Sequence, residues 1–363
     1  MVFLPPPSKD YKGDTRLDKT DIKSMELSRI QQGFTELGLE KYRAEQVFSW
    51  LQRKGAASFE EMTNVSVSLR EKLSNHFFIS CAEITEKFVS KKDGTVKYLF
   101  RLHDGLYIEG VLMQYKHGTS ICISTQVGCR MNCSFCATGK QGLSRNLLPG
   151  EMLSQIQSAS KEIGGRISNV VMMGMGEPLD NYENVLRFLA LAGDEKGMNI
   201  GMRHISLSTC GIVDKIYDLA DRKLQITLSV SLHAPFDDIR SGTMPIGRKW
   251  NIAALMKACK YYTDQTGRRI SFEYAMIDGV NDDDNCAERL KQILRGIIAH
   301  VNLIPVNRVE GAGYRKSSYE KQKKFVNILQ NGGITATVRR TLGSDIEASC
   351  GQLKQKFLKG DLR

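Results

Sequence analysis

The sequence lacks what would carry it into or across a membrane. No apolar run approaches the ~18 residues needed to span a bilayer. Residues 1–7 have neither the charged n-region nor the long apolar core of a secretory signal, so a cytoplasmic location with no membrane partner is expected. No repeat with a 20-to-50-residue period and no low-complexity tract occurs, which argues against solenoids and arrays. A disulfide framework is missing too: the 9 cysteines are odd in number and clustered, an arrangement that suits metal or redox chemistry better. Acidic residues are in deficit. The 51 Lys and Arg exceed the 40 Asp and Glu and leave a net charge of +11, which points to a polyanionic partner such as nucleic acid. With 363 residues the chain can hold a full-sized catalytic domain and a smaller one.

What is present is organised around residues 122–142. Cys129, Cys133 and Cys136 stand there at C-x3-C-x2-C spacing, close enough for one loop to aim three thiolates at a single inorganic centre. No nearby fourth cysteine, second C-x2-C or H-x3-H completes a closed zinc site, which needs four ligands. A cuboidal four-iron cluster with one iron left for a substrate or cofactor fits the spacing better.

The rest of the chain divides by periodicity. Residues 1–24 mix prolines and alternating charges and read as a flexible tail. Residues 25–82 form a small helical accessory domain, with helical segments around Met25–Ile30, Tyr42–Leu51 and 59–77; it is a candidate for RNA binding. Its aromatics Tyr42, Phe48 and Trp50 are read as core. From 83 to 114 the period falls to two, and Asp93-Gly94 between alternating runs predicts a β-hairpin extension.

From 115 to 350, apolar strands at 119–125, 169–173, 204–208, 225–232, 270–276, 301–305 and 334–338 alternate with helices at 150–163, 182–192, 212–221, 251–264, 283–298 and 319–330. That pattern is an α/β fold with a parallel sheet, open or curled into a full or partial barrel. Ligands of such sheets gather at the C-terminal ends of the strands, where Gly174-Met175-Gly176-Glu177, Ser208-Thr209, Ser231-Leu232-His233 and Asn307 fall. Residues 351–363 are left as a C-terminal tail. His233 read alone is a hydrogen-bonded core residue, and Glu109 read alone is an exposed carboxylate on an edge strand.

C-x3-C-x2-C directly after the first strand of a βα series resembles the radical S-adenosylmethionine (radical SAM) superfamily. Further motifs narrow the likeness: Ser124-Thr125-Gln126-Val127-Gly128-Cys129, Gly174-Met175-Gly176-Glu177-Pro178-Leu179, Leu207-Ser208-Thr209, Ser231-Leu232-His233-Ala234-Pro235, Asn302-Leu303-Ile304-Pro305 and residues 343–353. Together they resemble the RlmN family of dual-specificity adenine methyltransferases, over about residues 25–355. The resemblance implies a radical SAM partial (β/α)6 barrel, one [4Fe-4S] cluster on Cys129, Cys133 and Cys136, and S-adenosylmethionine held by Gly176, Glu177, Ser208, Ser231, Leu232, His233 and Asn307. It further implies Cys350 as the cysteine that is methylated, Cys122 as the resolving cysteine in a transient disulfide with Cys350, and Glu109 as the proton acceptor. Carbon 2 of an adenosine in 23S rRNA and in tRNA would be methylated at the expense of two SAM, by a monomer reduced by a protein such as flavodoxin.

Ser349 departs from the alanine common at that position in the family. The related Cfr type shares both catalytic cysteines but methylates carbon 8; Pro178 after Glu177 favours RlmN, since Cfr-type sequences tend to have alanine there. A non-catalytic iron-sulfur RNA-binding or redox-sensing protein is the alternative of another class, and it would not need Cys122 and Cys350. Cys81, Cys210, Cys259 and Cys286 are expected to be buried without a role. Arg339-Arg340 is read as a candidate contact to RNA phosphate.

Overall fold

The computed structural model describes residues 19–116, 118–307, 309 and 313–353. Its first elements are not those of a tail. Thr20–Asp21 (β1) pairs in parallel with Phe77–Phe78 (β2), and the turn after β1 buries Ile22 and Lys23 completely. The Lys23 ammonium donates to Ser154 Oγ at 3.0 Å and Gln157 Oε1 at 3.2 Å, and burial lowers its pKa to about 8. A charged residue near the N-terminus thus serves as an anchor, because its partners lie more than a hundred positions away. The expected tail at 1–24 is corrected for residues 19–24; residues 1–18 lie outside the described part.

The helices α1 (Leu27–Glu36), α2 (Lys41–Gln52) and α3 (Val67–His76) complete the accessory domain. Helix α3 starts at Val67, not at residue 59, with Ser66 accepting from the Leu69 N–H at 3.4 Å. Before it, turns of i to i+3 type link Met62 to Phe59 and Val65 to Met62, burying every third side chain. That spacing imitates a helical face in the sequence. Phe48 is core as expected, whereas Tyr42 is 53% exposed and Trp50 half-buried.

A ten-stranded sheet follows. Its antiparallel wing comprises β3 (Ala82–Val89), β4 (Val96–Leu102) and β5 (Tyr107–Tyr115), which passes to β6 (Gly118–Cys122). The short strands β7 (Gln126–Cys129) and β8 (Gly142–Asn146) form a separate hairpin that the sequence did not betray, being brief and glycine-bearing. The parallel series continues as α4 (Pro149–Glu162), β9 (Asn169–Met172), α5 (Tyr182–Gly193), β10 (Ile205–Thr209), α6 (Val213–Asp221) and β11 (Thr227–Ser231). It ends with α7 (Asp237–Thr243), α8 (Ile252–Thr266), β12 (Ile270–Met276), α9 (Asp284–Ile293), β13 (Ala299–Pro305), α10 (Tyr319–Asn331) and β14 (Thr335–Val338).

The strand order β14-β13-β12-β11-β10-β9-β6-β5-β4-β3 keeps chain order throughout the parallel part, as expected when each helix carries the chain one strand over with the same hand. The sheet also curls. Arg339, just beyond β14, reaches the Met173 sulfur just beyond β9 at 3.5 Å, although four strands separate β14 from β9. In a flat sheet that separation would be about 24 Å, so the parallel strands form an open, partial barrel. The wing β3–β5 extends one edge. Helix boundaries follow local signals: Asn251 caps α8 through the Ala254 N–H at 2.9 Å, and Gly267 at φ 64° ends it. Helix α9 stops at Ile293, short of the expected 298, and the chain turns on with Ile297 N–H to Leu294 O. Among the described residues no helix is long and apolar enough to cross a membrane.

Candidate active site

The cysteine loop is framed before it is filled. Cys129 ends β7 and pairs with Gly142 of β8, so both ends of loop 130–141 are pinned by one hairpin. Gly128 at φ 81° allows the close pairing, since a Cβ there would stand 2.0 Å from the Gly142 carbonyl oxygen. Within the loop, the Ser134 N–H donates to the Thr243 carbonyl at 2.9 Å, and the Phe135 ring meets the His233 ring edge-on at 4.7 Å.

Cys129, Cys133 and Cys136 lie within electrostatic reach of one another. Burial pushes the Cys129 thiol up to about 12 and the Cys133 thiol up as well, with the neighbouring sulfurs adding to the effect at Cys133. Three thiols gathered on one loop, with those of Cys129 and Cys133 held protonated by desolvation, call for a cationic centre to compensate their thiolates. Among the described residues no three His, Cys, Asp or Glu side chains converge as the ligands of one metal ion. A cuboidal cluster asks for something else, because each thiolate binds a different iron. The donor set therefore fits a [4Fe-4S] cluster.

Beside this loop the strand ends supply the expected polar residues. Gly176 sits at φ 104°, and a Cβ on it would come within 2.6 Å of the Gln126 Cβ, so only glycine fits. Buried Glu177 accepts from the Cys210 N–H at 2.7 Å and the Leu179 N–H at 3.0 Å; burial raises its carboxyl pKa, and these donors oppose the rise. Ser208 and Ser231 are half-buried at the ends of β10 and β11, and Leu232 is fully buried. His233, at φ 56°, accepts through Nδ1 from the Ala275 N–H at 2.8 Å, and burial lowers its pKa to about 3. Its neutral ring must then carry the proton on Nε2. Asn307 does something not foreseen: its Nδ2 donates to the Cys350 carbonyl at 3.0 Å.

That contact belongs to a larger docking. The Ala137 N–H donates to the Gly351 carbonyl at 2.8 Å and Thr138 Oγ1 to the Leu353 carbonyl at 2.7 Å, so residues 350–353 rest on the cysteine loop. The expected C-terminal tail is thus corrected for 351–353; residues 354–363 lie outside the described part. Cys350 shares a small cleft with Val111, Met113, Tyr115 and Arg339. Cys122 pairs across the sheet with Val111 and therefore faces the same side. Burial pushes the Cys122 thiol up to about 12, nearby Cys350 raises it further, and Arg339 opposes both.

Glu109 lies two residues from Val111, on that same face. It is 3% exposed, not an edge carboxylate, and forms an ion pair with Lys97 Nζ at 3.3 Å. Sequence reasoning missed Lys97, whose strand pattern resembles any alternating run, and did not foresee that Arg339 lines the cleft of Cys350. Cys259 and Cys286 are buried as expected and Cys81 is half-buried, while Cys210 lies under the cysteine loop near Cys133 and Glu177.

Residues 123–289 match the profile of the radical SAM superfamily, and residues 20–79 match that of the ribosomal RNA large subunit methyltransferase N-terminal domain. A protein of Alkaliphilus oremlandii described as a probable dual-specificity RNA methyltransferase RlmN is 50% identical over 343 residues, covering 94% of this chain and 100% of that protein. One of Clostridium novyi with the same description is 48% identical over 341 residues, covering 94% of this chain and 99% of its own. The crystal structure of a radical SAM methyltransferase from Sphaerobacter thermophilus superposes with a TM-score of 0.88 at 44% identity, covering 92% of this chain and 99% of that one.

Proposed function

The chain belongs to the RlmN family of radical SAM RNA methyltransferases, and from that premise we propose that it methylates carbon 2 of an adenosine in 23S rRNA and in tRNA, with Cys350 as methyl carrier. The observation that carries this reading is the docking of residues 350–353 on the cysteine loop, which brings Cys350 within electrostatic reach of Cys122. A cluster that only sensed oxidation would have no use for that pair.

When bound on Cys129, Cys133 and Cys136, the cluster together with SAM supplies hydrogen-atom abstraction from an unactivated methyl group. The chain's own residues do the remainder. Gly176 lets the backbone approach the cofactor, and Glu177 offers its carboxylate to the SAM ammonium. Ser208, Ser231, Leu232 and His233 line the same rim, His233 as a neutral Nε2–H donor. Asn307 holds the Cys350 carbonyl and so positions the sulfur.

Cys350 as thiolate takes the methyl group of a first SAM; its sulfur–carbon bond forms as the sulfonium bond breaks, and a neutral thioether leaves. A second SAM is spent on activating that methyl group. Carbon 2 of adenine is electron-poor, so a carbon delivered from a protein sulfur avoids asking the ring to act as a nucleophile. Once that carbon is bonded to carbon 2, Glu109 removes the ring proton, and the odd electron left on the adduct would return to the redox cofactor, which restores the aromatic ring. Cys122 then attacks the Cys350 sulfur: the S–S bond forms, the S–C bond breaks with its electron pair left on the carbon attached to adenine, and that carbon is protonated to a methyl group. A thiol reductant reopens the disulfide.

The base must leave its stack to reach this cleft. A monomer in the cytoplasm, reduced by a flavodoxin-type donor, completes the reading. Mass spectrometry tests it twice. The peptide containing Cys350 should gain one methyl group when reduced, cluster-loaded protein meets SAM, and RNA from cells with the protein should hold 2-methyladenosine that cells without it lack. An unmodified Cys350 would sink the carrier role, and 8-methyladenosine in place of 2-methyladenosine would move the reaction to carbon 8.

A further inference from the structure

Arg339 was expected to face RNA, but its side chain turns into the open barrel. Its backbone N–H donates to the Leu303 carbonyl at 2.8 Å, continuing the β13–β14 ladder, so the residue is held as firmly as a strand position. The guanidinium then spans the barrel mouth. It meets the Met173 sulfur at 3.5 Å and the buried Glu273 carboxylate at 3.8 Å, and it lines the cleft of Cys350. Glu273 is itself fixed by Asn302 Nδ2 at 2.8 Å and Ser271 Oγ at 3.0 Å. A braced cation at this place is costly to build, since its counter-ion is buried.

We propose that Arg339 is a positioning residue that presents one guanidinium to both reacting sulfurs, holding Cys350 as thiolate first and Cys122 only after Cys350 has been alkylated. This rests on the reading of Cys350 as carrier and Cys122 as resolving thiol. Around the two sulfurs stand Tyr115 from β5 and Arg339 beyond β14, with Arg340 lining the same cleft as Cys350; Glu273 from β12 faces Arg339 in turn. Cys350 is the strongest influence raising Arg339, ahead of Glu273, Cys122 and Tyr115. The two thiols compete for one cation, and ionised Cys350 disfavours ionised Cys122. Cys350 is half-buried in the cleft whereas Cys122 is buried behind it, so Cys350 is the sulfur that an incoming methyl donor reaches first. Once Cys350 carries carbon its sulfur is uncharged; the repulsion on Cys122 disappears while the attraction of Arg339 remains. The order of the two thiolate steps is thereby set, and premature ionisation of both thiols is suppressed.

The test is the pH profile of iodoacetamide alkylation at Cys350, read by peptide mass spectrometry on cluster-loaded protein without SAM. It is carried out for the wild type, Arg339→Lys and Arg339→Met, each on a Cys122→Ala background. Arg339→Met should slow alkylation near pH 7.5 about tenfold, corresponding to about one pH unit in the profile, while Arg339→Lys should fall between. An Arg339→Met profile equal to wild type would overturn the proposal. Methylation of Cys350 by SAM is followed in parallel with Cys122 intact. Methylation of the Arg339→Met protein at the wild-type rate would also overturn the proposal while leaving the carrier reading in place. A shifted alkylation profile with no methylation in any protein would sink the carrier reading and spare the electrostatic role.

Discussion

Glu109 and Lys97 face each other at 3.3 Å on neighbouring strands of the antiparallel wing, both almost completely buried. The carboxylate proposed to remove the ring proton is therefore stored as an ion with a fixed counter-charge. Removing Lys97 takes a buried counter-charge away from Glu109, and breaking such a pair costs about 3–5 kcal/mol. Lys97→Met should lower unfolding stability by that order and depress turnover, and Lys97→Met with Glu109→Gln should recover much of the stability but none of the activity. Urea titration and single-turnover methylation check this; a Lys97→Met protein as stable and as fast as wild type would refute it.

Cys122→Ala should leave the RNA attached to Cys350, because nothing remains to break the sulfur–carbon bond. Denaturing gels would show a slow protein–RNA band that nuclease removes. Free methylated RNA formed at the normal rate would reject Cys122 as the resolving thiol.

Gly176→Ala would place a Cβ 2.6 Å from the Gln126 side chain at a φ that other residues rarely adopt. The strain is about 1–3 kcal/mol, and it falls on the turn that carries Glu177. SAM affinity should drop about tenfold or more in equilibrium dialysis while the cluster absorbance persists. Unchanged SAM binding would show that this close approach is dispensable.

His233 makes stability depend on pH in a defined window. Its folded pKa of about 3 lies below the unfolded value near 6.5, so the unfolded chain binds a proton that the folded one refuses. Stability is fully present above pH 6.5 and is lost as pH falls toward 3, by about 1.4 kcal/mol per pH unit at most. His233→Gln should flatten that slope in urea unfolding followed from pH 7 to pH 4. An identical slope would assign the acid sensitivity to other groups.

The accessory domain presents Tyr42 to solvent, with the Arg43 guanidinium 4.7 Å from its ring centre and Lys54 3.5 Å from that of Trp50. An exposed ring and a half-buried one, each beside a cation, suit stacked bases and phosphates, each stacked base contributing about 1–3 kcal/mol. Tyr42→Ala with Lys54→Ala should weaken RNA binding at least about fivefold in filter binding without disturbing the cluster spectrum. Equal affinity would remove the domain from RNA recognition.

Much of this protein was fixed by local sequence. The strand and helix alternation from residue 119 to 338, the Asp93-Gly94 hairpin and the C-x3-C-x2-C loop follow from side-chain period, turn chemistry and ligand spacing, which act over a few residues. The motif resemblance carried the family from one end to the other. What tertiary structure alone decided are the meetings of residues far apart in the chain: Lys23 under α4, Lys97 with Glu109, Asn307 on the Cys350 carbonyl, and Arg339 at the cleft of Cys350 and Cys122. A lysine or arginine in sequence reads as a solvated charge because most are, and only tertiary packing brings these three to their partners: Lys23 against α4, Lys97 within the antiparallel wing, and Arg339 across the curled parallel strands. Sequence thus named the atoms proposed to react; the fold determined which charges stand beside them.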